Sequence, residues 1–250
     1  MLPYYDAHYE PYENEHGVDG FAQTLGRARA SGELRHVPIR PGLRLLDVGC
    51  GGGVFLRMAR DLGASCVGVE PSEHGARVAA AAGLDVFHGT LTQFIERRPQ
   101  SRFDLITSNH VVEHHPDPIA LLAEMKSLLS DSGTVWIAVP NGDCGSARVL
   151  TWRWHSTDLP YHLHHFSRNS LRVAVQRAGL ALESMNTESM PHAVLSSLQS
   201  ELRHTWKLPV RLTQRLPLRG VARRRARAMD TALDGEAILV SLRLTYGVPE

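Results

Sequence analysis

Short hydrophobic runs and amphipathic stretches alternate along this chain. Leu43–Val48, Ser65–Val69, Leu84–His88, Phe103–Ser108, Thr134–Val139 and Leu180–Thr187 have strand length and are bounded by turn-forming residues, so they predict strands. Between them, Val54–Leu62, Glu73–Ala82, Leu91–Arg98, Pro118–Leu129 and residues 168–178 read as helices. In the fourth of these, Ile119, Leu122, Met125 and Leu129 recur at helical spacing. Gly63, Gly83 and Gly179 stand where helices stop, and Pro99 follows another. Ser167 is placed to cap the helix after it, with Phe166 as its hydrophobic staple.

The flanks differ. Residues 1–19 are rich in Tyr, Glu and His and read as an arm, and residues 20–36 as a helix. Residues 140–166 read as a long loop. Residues 191–229 read as mostly helical and intrude before a last strand, Ala237–Leu244. Strict alternation predicts an α/β fold with a parallel sheet and helices on both faces. Ligands then sit at the carboxyl ends of the central strands. Four segments follow: an N-terminal arm and helix over 1–40 acting as a lid, a core over 41–190, a basic helical insertion over 191–229, and a final strand within 230–250.

Composition narrows the class. A chain of 250 residues with a formal net charge of +1 suits one α/β domain with elaborations and argues against wholesale nucleic-acid binding. No apolar run is long enough to span a bilayer. The N-terminus lacks the basic and apolar regions of a signal peptide. Cys50, Cys66 and Cys144 have unmatched spacings, so no disulfide framework is expected and a reducing, cytoplasmic location is.

Residues 45–53, Leu-Leu-Asp-Val-Gly-Cys-Gly-Gly-Gly, carry the chemistry. A buried strand running into such glycines forms a tight loop and a helix N-terminus, where backbone can approach a ligand closely. Gly49-x-Gly51-x-x-Val54 lacks the third glycine of the dinucleotide fingerprint. Glu70, at the end of the next strand, suits ribose hydroxyls in either a nicotinamide dinucleotide or S-adenosylmethionine. Asp47 separates the two: it favours a cationic ligand with an amino group and would repel a diphosphate.

With these residues in place, the chain resembles the class I S-adenosylmethionine-dependent methyltransferases. The resemblance spans roughly residues 43–187 and the last strand. It rests on Leu45–Gly53, on Gly68-Val69-Glu70-Pro71-Ser72, on His88-Gly89-Thr90-Leu91, on FDLITSNHVVEHHPDP at Phe103–Pro118, and on Leu128–Pro140. His162–Ser167 and Ala178-Gly179-Leu180 are similar to the small-molecule branch that includes ubiquinone-biosynthesis O-methyltransferases. The resemblance implies a Rossmann-like, doubly wound, mostly parallel seven-stranded sheet with an antiparallel C-terminal strand. It also implies roles. The backbone of Gly49, Cys50 and Gly51 would face the methionine part of S-adenosylmethionine, and Asp47 would hold its amino group. Glu70, followed by Pro71, would take the ribose hydroxyls, and Thr90 and Leu91 would flank adenine. The family often has Asp where Thr90 stands, which leaves the contact to the adenine amino group unassigned. Asn109 would contact the methionyl end or the acceptor. The acceptor would be a small molecule, with oxygen favoured over nitrogen or carbon. A non-catalytic cofactor-binding protein is the alternative from another class.

Fourteen histidines are many, and they cluster. His110, His114 and His115 follow the fourth strand, and His162, His164 and His165 follow the fifth, at the same edge. Three readings stand: His110 or His114 is a general base; Glu113, His114 and a histidine from 162–165, taken as His165, hold a divalent metal; or the histidines brace loops. Some related O-methyltransferases have Glu-x-x-Glu-His here, and this chain has His110 at the first position. That change suits zinc or nickel better than magnesium.

Acceptor choice falls to three added pieces. The arm with Tyr4, Tyr5, Tyr9, Tyr12 and His16 reads either as a lid that closes over the site or as a disordered tail. The loop with Trp152, Trp154 and Tyr161 suggests an apolar pocket, a subunit contact or ordinary packing. In the third piece, Lys207, Arg211, Arg215, Arg219, Arg223 and Arg227 recur every four residues, and no acid lies between 207 and 229. Pro217 and Gly220 are expected to break that stretch into two helices, with Leu208, Val210, Leu212, Leu216 and Val221 as an apolar face. The stripe reads as a solvated face, as a clamp for an anionic acceptor, or as a peripheral membrane contact through 207–227 that reaches a lipid-like acceptor. No sequence-specific nucleic-acid partner is expected, because no aromatic platform interleaves with the cations.

Overall fold

The computed structural model describes residues 36–245. The strands are β1 (Arg44–Val48), β2 (Ser65–Glu70), β3 (Val86–His88), β4 (Phe103–Asn109), β5 (Leu129–Pro140), β6 (Leu180–Glu188) and β7 (Ala237–Leu244). They form one sheet in the order β3-β2-β1-β4-β5-β7-β6. β3, β2, β1, β4 and β5 run parallel, and β7 is antiparallel to both β5 and β6. The helices are α1 (Val54–Asp61), α2 (Glu73–Ala81), α3 (Leu91–Arg97), α4 (Pro118–Ser127), α5 (Gly145–Leu150), α6 (Arg168–Arg177), α7 (Pro191–His204), α8 (Val210–Arg215) and α9 (Arg219–Thr231).

Both faces of the central strands β1 and β4 and of the second half of β5 are dry, which is why they read as continuous apolar runs. Leu46, Ile106, Val135 and Ile137 pack with Phe94 of α3, Leu122 and Met125 of α4 and Leu171 of α6. Leu45, Leu105, Trp136 and Ala138 belong to a second cluster with Phe55, Leu56 and Ala59 of α1 and Ala79 of α2. Adjacent residues such as Leu45 and Leu46 are fully buried in different clusters, as the alternation of side chains along a strand requires. Ser167 caps α6 through the N–H of Ser170, and Phe166 is buried in the same cluster as Leu171.

The strand order reverses between β1 and β4. The crevice beyond their carboxyl ends is therefore the place this architecture reserves for a ligand. The antiparallel β7 adds a second consequence. Pro140, Glu188 and Ala237 lie together, where β5 and β6 end and β7 begins. The insertion α7–α9, which joins β6 to β7, thus leaves and returns at the ligand edge of the sheet.

Several expectations change. α4 stops at Ser127, and Leu129 opens β5, paired with Phe103. The long loop 140–166 holds α5 and two 3-10 turns, Thr151–Arg153 and His155–Thr157. Gly220 lies in the first turn of α9 and breaks nothing; the break is at residues 216–218. The expected apolar face of that stretch is not buried: Val210, Leu212 and Val221 are exposed, and the insertion packs through Val194 of α7 against Ala222, Ala226 and Met229 of α9. The arm and most of the first helix lie outside the described residues.

Candidate active site

The glycine loop links β1 to α1. Gly49 and Gly51 have φ of 74° and 52°, in the left-handed region that favours glycine. A Cβ on Gly49 would lie 2.4 Å from a Val111 methyl, so the loop also presses against the turn after β4. The Gly49 N–H donates to the Val69 carbonyl at 2.8 Å, which folds the loop back over β2. Cys50 turns inward, buried beside Gly68, so what it can present to a ligand is backbone.

Glu70, at the end of β2, is buried. Its two carboxylate oxygens accept the Gly51 and Ser72 N–H groups, each at 2.8 Å. One residue therefore braces both the glycine loop and the start of α2. Pro71 follows and leads into α2, capped by Ser72. Asp47 is buried in β1 and accepts the Thr107 hydroxyl at 2.7 Å. Burial pushes its carboxyl up to about 7, with the Glu70 charge adding to the shift and the Thr107 hydrogen bond opposing it. Such a group gains from a cation placed beside it. Asn109 ends β4, and its buried Oδ1 lacks a hydrogen-bond partner among the described residues. Thr90 caps α3 in a capping box with Gln93, and the Leu91 side chain is in the core. Thr90 is thus committed to the helix start, and Leu91 has only its backbone to offer adenine.

Beyond Asn109 the chain turns sharply. His110 has φ of 54°, a left-handed conformation that costs a non-glycine residue of order 1–3 kcal/mol. Its N–H donates to the Ala138 carbonyl at 2.9 Å, and its Nδ1 lies 3.2 Å from Glu113 Oε1. Glu113 is fully buried, and its Oε2 has no hydrogen-bond partner among the described residues. Burial alone would raise this carboxyl. The His110 hydrogen bond and the charges of His110 and His114 outweigh burial and hold it below the ordinary carboxylate value.

The two histidine groups do meet. The Glu113 carbonyl accepts the Leu163 and His164 N–H groups at 2.9 and 3.1 Å, which pins the later loop onto the turn after β4. His114 and His162 then lie ring against ring, with centroids 4.7 Å apart. Glu113, His114 and His162 are buried, with one ligand atom from each within 4.8 Å of the others. His162, not His165, completes this trio. His165 is exposed, with its Nε2 2.9 Å from the Thr157 carbonyl oxygen. An orphaned carboxylate oxygen beside two imidazoles fits a borderline divalent ion such as zinc. His115 bonds locally to Asp117 at the start of α4.

Sequence reasoning missed a polar group on the other flank. Glu236, just before β7, is buried and accepts the Ser197 hydroxyl of α7 at 2.9 Å. His155 Nδ1 lies 3.4 Å from the same hydroxyl. Burial pushes the His155 imidazole down to about 4 and the Glu236 carboxyl up. No motif marks these residues, because a long insertion separates them.

Comparisons with known proteins agree with this geometry. A family model described as a methyltransferase domain matches residues 7–185. The chain is 30% identical over 165 residues to a ubiquinone biosynthesis O-methyltransferase of Parvibaculum lavamentivorans, covering 59% of this chain and 63% of that protein. It is 33% identical over 141 residues to a protein of the same name from Bradyrhizobium, covering 51% and 52%. The chain spans less than two thirds of the length of these relatives. Among solved structures, an S-adenosylmethionine-dependent methyltransferase from Archaeoglobus fulgidus superposes with a TM-score of 0.60 at 18% identity, over 94% of this chain and 99% of that one. One from Mesorhizobium loti gives 0.58 at 22% identity, over 88% and 99%. These likenesses bear on the fold. With the family match over most of its length, the chain belongs to the class I S-adenosylmethionine-dependent methyltransferases.

Proposed function

We propose that this enzyme methylates a hydroxyl oxygen of a small molecule. The observation that carries the reading is the buried trio of Glu113, His114 and His162, with half-exposed His110 bonded to Glu113, beyond the carboxyl ends of β4 and β5, next to Asn109. The relatives named as O-methyltransferases support it.

Methyl transfer is an in-line displacement. The acceptor oxygen attacks the methyl carbon, the carbon–sulfur bond breaks, and sulfur keeps the electron pair as a neutral thioether. A neutral hydroxyl is a poor nucleophile, so a base that takes its proton is worth roughly 10²–10⁴-fold. His110 is the base in this reading. Ionised Glu113 holds its Nδ1 and stabilises the imidazolium that forms. Glu113, His114 and His162 would hold a divalent ion, which supplies a Lewis acid that favours the ionised acceptor. The test is labelled-methyl transfer to a dihydroxybenzoate after chelation and after zinc is restored. Activity lost on chelation and regained with zinc supports the trio. Chelator-insensitive activity that disappears in His110→Ala leaves the base alone. Transfer to amines but not to hydroxyls removes the reading.

A further inference from the structure

We propose that the turn at Trp152–Arg153, the end of α7, α8 and the first turns of α9 form a docking surface for an anionic lipid bilayer. Apart from the turn at Trp152–Arg153, the surface lies beyond residue 185, where the family match ends, in the insertion between β6 and β7.

Its packing is inverted. α8 buries only Thr213, and α9 buries Ala222, Ala226 and Met229. Thr213, Ala222, Ala226 and Met229 face the protein, while Val210, Leu212 and Val221 face out. Trp152 and Trp206 are each 68% exposed, and Val210, Leu212 and Val221 about half. Lys207, Arg211, Arg215, Arg219, Arg223, Arg224 and Arg227 are exposed among them. No acid interrupts the run between Glu201 and Asp230. Arg225 is set apart by its ion pair with Glu201 at 3.0 Å. The two tryptophans are on neighbouring segments: the Ser200 hydroxyl of α7 donates to the Arg153 carbonyl at 3.3 Å, and Trp206 follows the end of that helix. The Arg153 guanidinium covers the Trp152 ring at 4.1 Å.

Cations and large apolar groups are interspersed on the solvent-facing sides of α8 and α9, and that mixture selects among polyanions. A nucleic-acid backbone would use the arginines but gain nothing from Val210, Leu212 and Val221. The headgroup region of a bilayer takes both: cations meet anionic headgroups, while Trp and aliphatic side chains enter the acyl boundary. The insertion that carries the surface leaves and returns at the ligand edge, where Pro140, Glu188 and Ala237 meet. An acceptor with a lipid tail would then be reached from the bilayer. That last step rests on the proposed oxygen acceptor, but the docking itself does not.

The test is co-sedimentation of the full chain with vesicles of phosphatidylcholine alone, or mixed with phosphatidylglycerol, together with Trp fluorescence. The expected result is binding to the mixed vesicles only, weakened by salt, with a blue shift that Trp206→Ala reduces. Each exposed cation removed should lower partitioning about five-fold. Arg219→Ala, Arg223→Ala and Arg227→Ala together should therefore lower it about a hundredfold while S-adenosylhomocysteine binding, the check on folding, is kept. Equal binding to both vesicle types, no binding to either, or tighter binding to duplex RNA than to the mixed vesicles would overturn the proposal. Loss of docking with intact transfer to a soluble dihydroxybenzoate would leave the oxygen acceptor standing.

Discussion

Replacing Asp47 by Asn should stabilise the protein without cofactor and weaken cofactor binding at the same time. In the folded chain the Asp47 carboxyl is raised from 3.8 to about 7, chiefly by burial. A carboxyl whose folded value is raised favours folding while protonated. That stability is complete below the unfolded value and is lost as pH rises through about 7. At 1.36 kcal/mol per pH unit, the full loss is about 4 kcal/mol. Asn keeps an oxygen for the Thr107 hydroxyl but never ionises, so it escapes the loss. The assay is denaturant unfolding of both forms from pH 5 to about pH 8. The stability gap in favour of Asp47→Asn should widen with pH, towards about 4 kcal/mol. Calorimetry with S-adenosylmethionine should run the other way. The wild type should bind more tightly as pH rises to about 7, because the cofactor ammonium selects the ionised carboxylate. The variant should lose about ten- to hundredfold in affinity, the worth of a hydrogen bond to a charged group. An apo variant less stable than wild type at about pH 8, or a wild-type affinity flat from pH 6 to 8, would refute the reasoning.

Other expectations follow from single positions. Gly49→Ala places a Cβ 2.4 Å from a Val111 methyl at a φ of 74°, so it should cost at least about 1–3 kcal/mol and abolish cofactor binding, read by thermal shift with and without S-adenosylhomocysteine. His162→Ala should lower zinc affinity at least tenfold and His165→Ala should leave it unchanged, read by competition with a chromogenic chelator. Ser167→Ala removes the α6 cap and should cost about 1 kcal/mol of stability with little change in cofactor affinity, read by denaturant unfolding.

The residues proposed for the cofactor could be grouped from the sequence because they are local. Asp47, Gly49 and Gly51 lie within one strand and loop, and Glu70 ends the next strand. The apolar runs up to those residues place them at a strand terminus without knowledge of strand order. The acceptor half is not local. Sequence placed His114 and the histidines of 162–165 at one edge, but only the bonds of Leu163 and His164 to the Glu113 carbonyl decide that His162 turns inward and His165 outward. The partnership of Thr107 with Asp47 depends on the register between β1 and β4, and that of Ser197 with Glu236 on the return of β7. The insertion misled for a related reason. Its large apolar residues alternate as a core-facing set would, yet Ala222, Ala226 and Met229 pack inward in their place.

The most direct test of the account follows a deuterated methyl group from labelled S-adenosylmethionine into a metabolite extract by mass spectrometry. Products of the wild type should carry the label on oxygen, and Glu113→Gln and His110→Ala should each lose most of that transfer while binding S-adenosylhomocysteine normally. Label on nitrogen or carbon, or undiminished transfer in both variants, would contradict the account.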